Sequence, residues 1–340
     1  MDTRLPLLRD WLQALPAGLG LVPASLRVAS DDASFRRYFR LEASGLPGGT
    51  AIAMDAPPPM EDCAPFVHAA TELAGSGVSV PRILAQDLAR GLLLLEDFGS
   101  VTYLSRLDGT NAPALYADAS RALVAIQRAG RADAFPPYDR ALLMRELNLY
   151  PEWYVARHKG VALSDAQRAT LASAFEILVA ANLAQPRVTV HRDYHSRNLM
   201  VLDGERNPGI LDFQDAVHGP ITYDLVSLLK DAYVRWDEDQ VLDWTVRYWE
   251  GARAAGLPVA AEFGEFYRDF EWMGLQRHLK VLGIFARLHH RDGKDRYLAD
   301  LPRVLGYVRP VLERYHAFAP LARLFDQIEG GGGGSVGYTF

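Results

Sequence analysis

The chain has 340 residues, 49% hydrophobic and 23% charged, with a net charge of -6 and a single cysteine. That length exceeds one ordinary core and predicts two lobes or domains. The acidic balance argues against a general nucleic-acid binder, and a lone Cys63 cannot close an internal disulfide, so a reducing compartment is expected.

The opening stretch MDTRLPLLRDWLQALPAGLG is amphipathic and broken by charge and proline, without the continuous apolar core of a signal peptide. No apolar run approaches the roughly 18 residues of a membrane span. A cytoplasmic protein with no membrane partner, working as a monomer, is expected. Cys63 reads as a small, partly buried residue rather than a nucleophile.

The first third reads as strands. LRVAS (26–30), SFRRYFRLEA (34–43) and TAIAMDA (50–56) are separated by an Asp-Asp and a Pro-Gly-Gly turn signal. A helix follows near 62–74, ending at Gly75 or Gly77. RILAQD and GLLLLEDFG supply two more strands, so a small, mostly antiparallel sheet with one helix is predicted. After Gly99 the period changes to that of helices. NAPALYADASRALVAIQRAG has Asn111 as its N-cap and Gly130 as its stop. Ser164 with Gln167, and Asp237 with Gln240, have capping-box spacing. Helical pattern continues over 262–290 and 300–318. The expected fold class is α+β, with an N-lobe over 1–98 and a larger, mostly helical C-lobe over 99–329. Residues 330–340 form a Gly-rich tail expected to behave as a flexible linker.

Within the helical half, HRDYHSRNLMVLDGERNPGILDFQD (191–215) is the exception. LMVL and GILDF are short apolar runs joined by the turn-rich DGERNP, and read as a β-hairpin. A hairpin folds its ends together, so Asn198 before the first strand comes beside Asp212 at the end of the second. Two converging oxygen ligands suit a hard cation such as Mg²⁺. Asp193 lies on the entering loop and is left to accept or orient the proton of an attacking hydroxyl, as phosphoryl transfer requires. Taken singly, each of these residues also reads as a turn or cap; the set at these spacings carries the signal.

That set resembles the kinase-like phosphotransferases. HRDYHSRN matches H-R-D-x-x-x-x-N at His191, Arg192, Asp193 and Asn198, and DFQ stands where protein kinases carry Asp-Phe-Gly. DFQDAVHGPITYDL matches the aminoglycoside phosphotransferase pattern of Asp, Gly-Pro and Asp-Leu, with Asp224 as the late Asp. The resemblance implies a bilobal protein-kinase-like fold and the use of ATP and Mg²⁺. It implies Asp193 as the catalytic residue, Asn198 and Asp212 as metal ligands, and Asp224 as a brace on the catalytic loop. It also implies that the N-lobe sheet covers the nucleotide and that backbone groups around Glu96, Asp97 and Phe98 meet the adenine edge.

The N-lobe departs from the family pattern. AIAMDA offers Met54 or Asp55 where a phosphate-binding Lys is expected. The following helix places Phe66 or His68 where its Glu partner should stand, and Glu72 falls about a turn too late. There is no G-x-G-x-x-G. Arg36 and Arg37, in SDDASFRRYFRL, are candidates to supply the missing phosphate charge, Arg37 ahead; the alternative is that both are solvated strand residues.

Only eleven residues separate Asp212 from Asp224, and no Ala-Pro-Glu follows. That leaves little room for a peptide groove and favours a small hydroxyl-bearing substrate. Over residues 1–328 the chain is similar to the bacterial anomeric sugar kinases, through SFRRYF, AMDAPPPMEDCAPFV, LLLLEDFG, HRDYHSRNLM, LDFQDAVHGPITYDL and LQRHLKVLGIFARLHHRDGK. This implies an amino-sugar substrate, N-acetylmuramate or N-acetylglucosamine, phosphorylated on its 1-hydroxyl in peptidoglycan recycling. Arg277, Lys280, Arg287 and Arg291 fall on roughly one helical face, which can meet the lactyl carboxylate of a muramate or can be a solvated basic face. Glu146, with Trp153 and Tyr154, can offer a sugar pocket a carboxylate and an aromatic face, or can be ordinary packing. His195 and Asp215 lie close enough to the catalytic positions to contact substrate hydroxyls. The rival readings are an antibiotic-type phosphotransferase with an acidic pocket and a nucleotide-binding pseudokinase.

Overall fold

In the computed structural model, which describes residues 2–30 and 35–330, the N-terminal region is α1 (Arg4–Gln13), β1 (Leu21–Ser30), β2 (Arg37–Ala43), β3 (Thr50–Asp55), α2 (Ala64–Gly75), β4 (Ile83–Asp87) and β5 (Leu92–Glu96). Helices follow as α3 (Tyr103–Arg106), α4 (Ala112–Ala129), α5 (Arg140–Leu147), a π-helical segment (Tyr150–His158) and α6 (Asp165–Ala184). Short strands β6 (Arg187–Val190), β7 (Leu199–Met200), β8 (Gly209–Ile210) and β9 (Val217–Pro220) precede α7 (Tyr223–Leu229), α8 (Glu238–Ala254), α9 (Phe263–His290), α10 (Leu301–Arg314) and α11 (Ala319–Glu329). The expected turn at Asp31 and Asp32 and the Gly-rich tail lie outside the described residues.

The chain divides into two compact units. The first comprises Met1–Gly130 and Arg197–Ala216. Its five strands form one antiparallel sheet in the order β1-β2-β3-β5-β4. Strand alternation sends Phe39, Leu41, Ala51, Ala53, Leu92 and Leu94 to one face, where Leu8, Trp11 and Leu12 of α1 cover them. Each such large apolar side chain contributes about 1.5–3 kcal/mol by leaving water. The change from strands to helices falls where the periodicity places it, between Glu96 and Tyr103, but by compactness α3, α4 and the β7–β8 ribbon group with the sheet. Gly209 is obligatory in that ribbon, because a Cβ there would stand 2.5 Å from the Phe98 ring.

The second unit comprises Arg131–Ser196 and Val217–Phe340. Its axis is α9, buried along most positions from Phe270 to Leu288, with polar members such as Gln276, Arg277 and Lys280 bonded inside the unit. Gly283 lets the helix approach the chain at Leu149, whose carbonyl oxygen would lie 2.4 Å from an added Cβ. The capping box that opens α6 is formed: Ser164 Oγ accepts from Gln167 N at 3.3 Å, and Ser164 N donates to Gln167 Oε1 at 2.9 Å. Asn111 is a correction. It stands at the start of α4 but makes no cap bond, because its Oδ1 accepts from Asp108 N at 3.0 Å while its Nδ2 donates to the Arg106 carbonyl and to Asp108.

Candidate active site

The hairpin read from the sequence is present: Leu199 pairs with Ile210 and Met200 with Gly209. Leu211 N donates to Asn198 O at 2.9 Å, which closes the ladder at its open end. The Asn198 amide nitrogen then lies 3.2 Å from Asp212 Oδ2, and Gln214 Nε2 donates to Asp212 Oδ1 at 2.9 Å. Asp212 is held at φ 64°, a left-handed conformation that a non-glycine residue adopts only when its surroundings enforce it. The next residue, Phe213, is fully buried and packs on Phe66 of α2 with ring centroids 4.9 Å apart. An amide and a carboxylate brought together on a rigid turn fit part of the oxygen shell of a hard divalent cation. Among the described residues no three His, Cys, Asp or Glu side chains cluster as a metal cage. The fit therefore rests on this pair, with phosphate and water oxygens to complete it.

The segment 191–196 belongs to the second unit, and here Asp224 is the organiser. It is fully buried and accepts the backbone N–H groups of His191 at 2.6 Å and Arg192 at 2.9 Å. This is the brace the family pattern implies. Burial pushes its carboxyl up to about 7, against the two N–H groups and Arg277, which favour the charged form. His191 Nδ1 accepts from Asp193 N at 3.2 Å. Asp193 itself keeps 39% of its side chain exposed, with Arg277 Nη2 3.8 Å from its Oδ1. Burial of its surroundings raises the Asp193 carboxyl, but Arg277, Lys280, His195 and Arg192 outweigh this and hold it at about 2. Asp193 is thus accessible and ionised.

Glu146, Arg277 and Lys280 are only 4%, 6% and 6% exposed. Lys280 Nζ donates to Glu146 Oε1 and to the Tyr223 hydroxyl, both at 2.9 Å. Arg277 Nη1 donates to Arg192 O at 2.9 Å and to the Tyr223 hydroxyl at 3.0 Å. The basic stripe of α9 keeps roughly one angular face but not one environment. Its first two members turn inward, while Arg291 is exposed and pairs with Asp292. Trp153 lies under the Arg157 guanidinium, and Tyr154 is buried with its hydroxyl on Glu329. The His195 ring meets Tyr233 edge to face at 5.4 Å.

In the first unit, Arg37 lies across from Asp55 on the strand pair β2–β3, on the face covered by α1. Asp55 is fully buried and takes Arg37 Nη2 at 2.5 Å together with the Arg4 guanidinium; Arg37 also holds Asp2. Asp55 therefore faces α1, and Met54, fully buried, points to the opposite face. Arg36 reaches toward Glu61, with Nε 3.9 Å from Oε2. Glu96 pairs with Arg82 and Arg206. Asp97 accepts from Arg40 at 2.6 and 2.9 Å, from Thr50 at 2.8 Å and from Gly99 N at 2.8 Å, so its side chain fixes the turn after β5. Phe98 lies against Gly209 and under Arg206. Asp215 is exposed.

Three contributors carry no sequence signal. Asp231 Oδ2 takes both the N–H of Ser196 at 2.9 Å and its hydroxyl at 2.5 Å, and so pins the loop three residues after Asp193. Tyr223 bridges Arg277 and Lys280, and the Tyr138 hydroxyl donates to Glu146. A buried Asp after an apolar helix, and two tyrosines among fifteen, look like packing until their partners are seen.

A model of the phosphotransferase enzyme family, APH, matches residues 25–263. The chain is 50% identical over 337 residues to the N-acetylmuramate/N-acetylglucosamine kinase of Pseudomonas putida, covering 97% of this chain and 98% of that one. It is 47% identical to the protein of the same name from Neisseria meningitidis, with 98% of each covered. Among solved structures, a choline/ethanolamine kinase family protein from Mesorhizobium loti superposes with a TM-score of 0.63 at 18% identity, over 95% of this chain and 99% of that one. The expected α+β kinase-like fold, with an antiparallel N-terminal sheet and a helical C-terminal region, is therefore the fold observed. The chain belongs to the phosphotransferase enzyme family, APH.

Proposed function

We propose that this protein is an ATP-dependent kinase that phosphorylates the anomeric 1-hydroxyl of N-acetylmuramate and N-acetylglucosamine, in the recycling of peptidoglycan sugars. The observation that carries the reading is the half-identity, over nearly the whole chain, to kinases named for these two sugars. A half-buried, ionised Asp193 supplies the chemistry that such a reaction needs.

A carboxylate held at about 2 is a weak base in the ground state. Asp193 therefore acts first by orienting the acceptor hydroxyl, and takes its proton late, as that oxygen bonds to phosphorus. This suits a loose phosphoryl-transfer transition state, in which positioning outweighs early deprotonation. Asn198 and Asp212 are the residues that would hold Mg²⁺, which would neutralise the phosphate oxygens of ATP. Backbone groups at Glu96 to Phe98 meet the adenine edge. Arg36 and Arg37 are the candidates for phosphate charge; Arg37 is engaged by Asp55 and Asp2 on the α1 face, and Arg36 faces Glu61. His195 and Asp215 serve the sugar hydroxyls. Arg277 and Lys280 act on the charge of Asp193 rather than on a lactyl carboxylate, because both are buried and bonded within their unit. No helix among the described residues is long and apolar enough to cross a membrane; we place the protein in the cytoplasm as a monomer.

The test is ADP release with N-acetylmuramate, N-acetylglucosamine and kanamycin as acceptors. The reading expects turnover with the two sugars and background with kanamycin. Turnover with kanamycin alone, or equal background with all three, overturns it.

A further inference from the structure

Arg192, immediately before Asp193, is like Asp212 a non-glycine residue held in the left-handed region, at φ 79°. Such a conformation is unfavourable for a side-chain-bearing residue and persists only where neighbours over-determine it. Three elements of the same unit do so. Its N–H is taken by Asp224 of α7 at 2.9 Å. Its carbonyl is taken by Arg277 of α9 at 2.9 Å. Its guanidinium is taken by Glu146 of α5 at 2.5 Å, with the Arg192 side chain 19% and the Glu146 side chain 5% exposed. Glu146 is in turn fixed by Lys280 and Tyr138. Burial raises the Glu146 carboxyl, but Lys280 and Arg192 outweigh it and hold it at about 2, so the anchor stays charged.

We propose that Glu146 is a positioning residue for phosphoryl transfer. Through Arg192 it locks the left-handed backbone that aims Asp193, and it does not bind the sugar. This rests on Asp193 being the residue that orients the acceptor hydroxyl. A carboxylate buried behind the loop, with both oxygens bonded to protein donors, has little left for a sugar hydroxyl. Its effect therefore reaches the substrate only through the geometry of the next residue along the loop.

A double-mutant cycle between Glu146→Gln and Arg192→Gly tests this. Glycine accepts φ 79° without strain but offers no guanidinium. Each variant alone is expected to lower kcat about 10- to 100-fold, the size of effect seen when a misplaced group spoils alignment, with KM for N-acetylmuramate within about twofold. In the Arg192→Gly background, Glu146→Gln is expected to add less than about twofold, because its route to Asp193 is already cut. Independent, multiplying losses, a rise in KM dominating either single variant, or an unchanged kcat in Glu146→Gln overturns the proposal. Thermal melts accompany every variant. If Glu146→Gln fails to fold, Arg192→Gly carries the test alone, since it leaves the Glu146–Lys280 pair intact, and an unchanged kcat there overturns the proposal. Asp193→Asn is measured alongside. Normal turnover in that variant removes the reading of Asp193 itself, whereas a dead Asp193→Asn beside a normal Glu146→Gln removes the clamp alone.

Discussion

Asn198 and Asp212 stand fourteen positions apart in the chain, yet the amide of one lies 3.2 Å from the carboxylate of the other. Two residue pairs of antiparallel ribbon between them are enough to bring this about. An Asp212→Asn substitution removes the charge and keeps the shape. Turnover is expected to fall by about 100-fold or more, since charge stabilisation at a phosphoryl group is worth several kcal/mol. The Mg²⁺ concentration giving half-maximal activity should rise in Asn198→Ala. A magnesium titration of both variants checks this, and an unchanged midpoint in each would remove the pair as metal ligands.

Asp193→Asn is expected to lower kcat by about 10²–10⁴-fold, the usual contribution of a positioned acid–base group. ATP binding, followed by calorimetry or by nucleotide fluorescence, should stay within a factor of about two.

The pH dependence follows from the cations around Asp193. They keep its folded-state value near 2, so it stays ionised throughout the range from pH 5 to pH 8, and no acid limb of kcat/KM in that range belongs to it. Arg277→Gln deletes the strongest of those cations and leaves burial, which acts in the opposite direction. The carboxyl then shifts upward, and an acid limb should move toward or into the accessible range. A pH–rate profile of Arg277→Gln in which activity is lower but the limb has not moved would show that Arg277 does not tune Asp193.

Asp55 holds two guanidinium groups while fully buried itself. Asp55→Ala leaves both cations without their buried partner, the costly way to break an ion pair. Arg4 and Arg37 are 24% and 34% exposed and remain partly hydrated. The expected loss is about 3 kcal/mol, at the lower end for such sites. Urea unfolding gives the number. ATP affinity should change far less than stability; a selective loss of ATP affinity would instead place Asp55 and Arg37 at the phosphates.

The parts of this molecule that could be read from sequence were those set by local rules. Alternation gave the sheet, and the Ser164–Gln167 spacing gave a formed capping box. The turn-rich DGERNP between two apolar runs located the ribbon on which Asn198 meets Asp212. What could not be read depends on pairings between distant segments. Arg192 and Arg277 are 85 positions apart, and no periodicity announces that the second caps the carbonyl of the first. Arg36 and Arg37 are neighbours with the same chemistry, and only the register of β2 against β3 decides which one meets Asp55. Asn111 has the composition of a helix cap, but the backbone N–H of Asp108 takes its Oδ1 instead.

The most direct measurement is phosphorus NMR of the product formed from ATP, Mg²⁺ and N-acetylmuramate. The account predicts a phosphomonoester whose phosphorus couples to the anomeric proton of the sugar, formed by the native protein and not by Asp193→Asn. A phosphorus signal coupled to any other ring or side-chain proton, or no sugar phosphate at all while ADP accumulates, would contradict it.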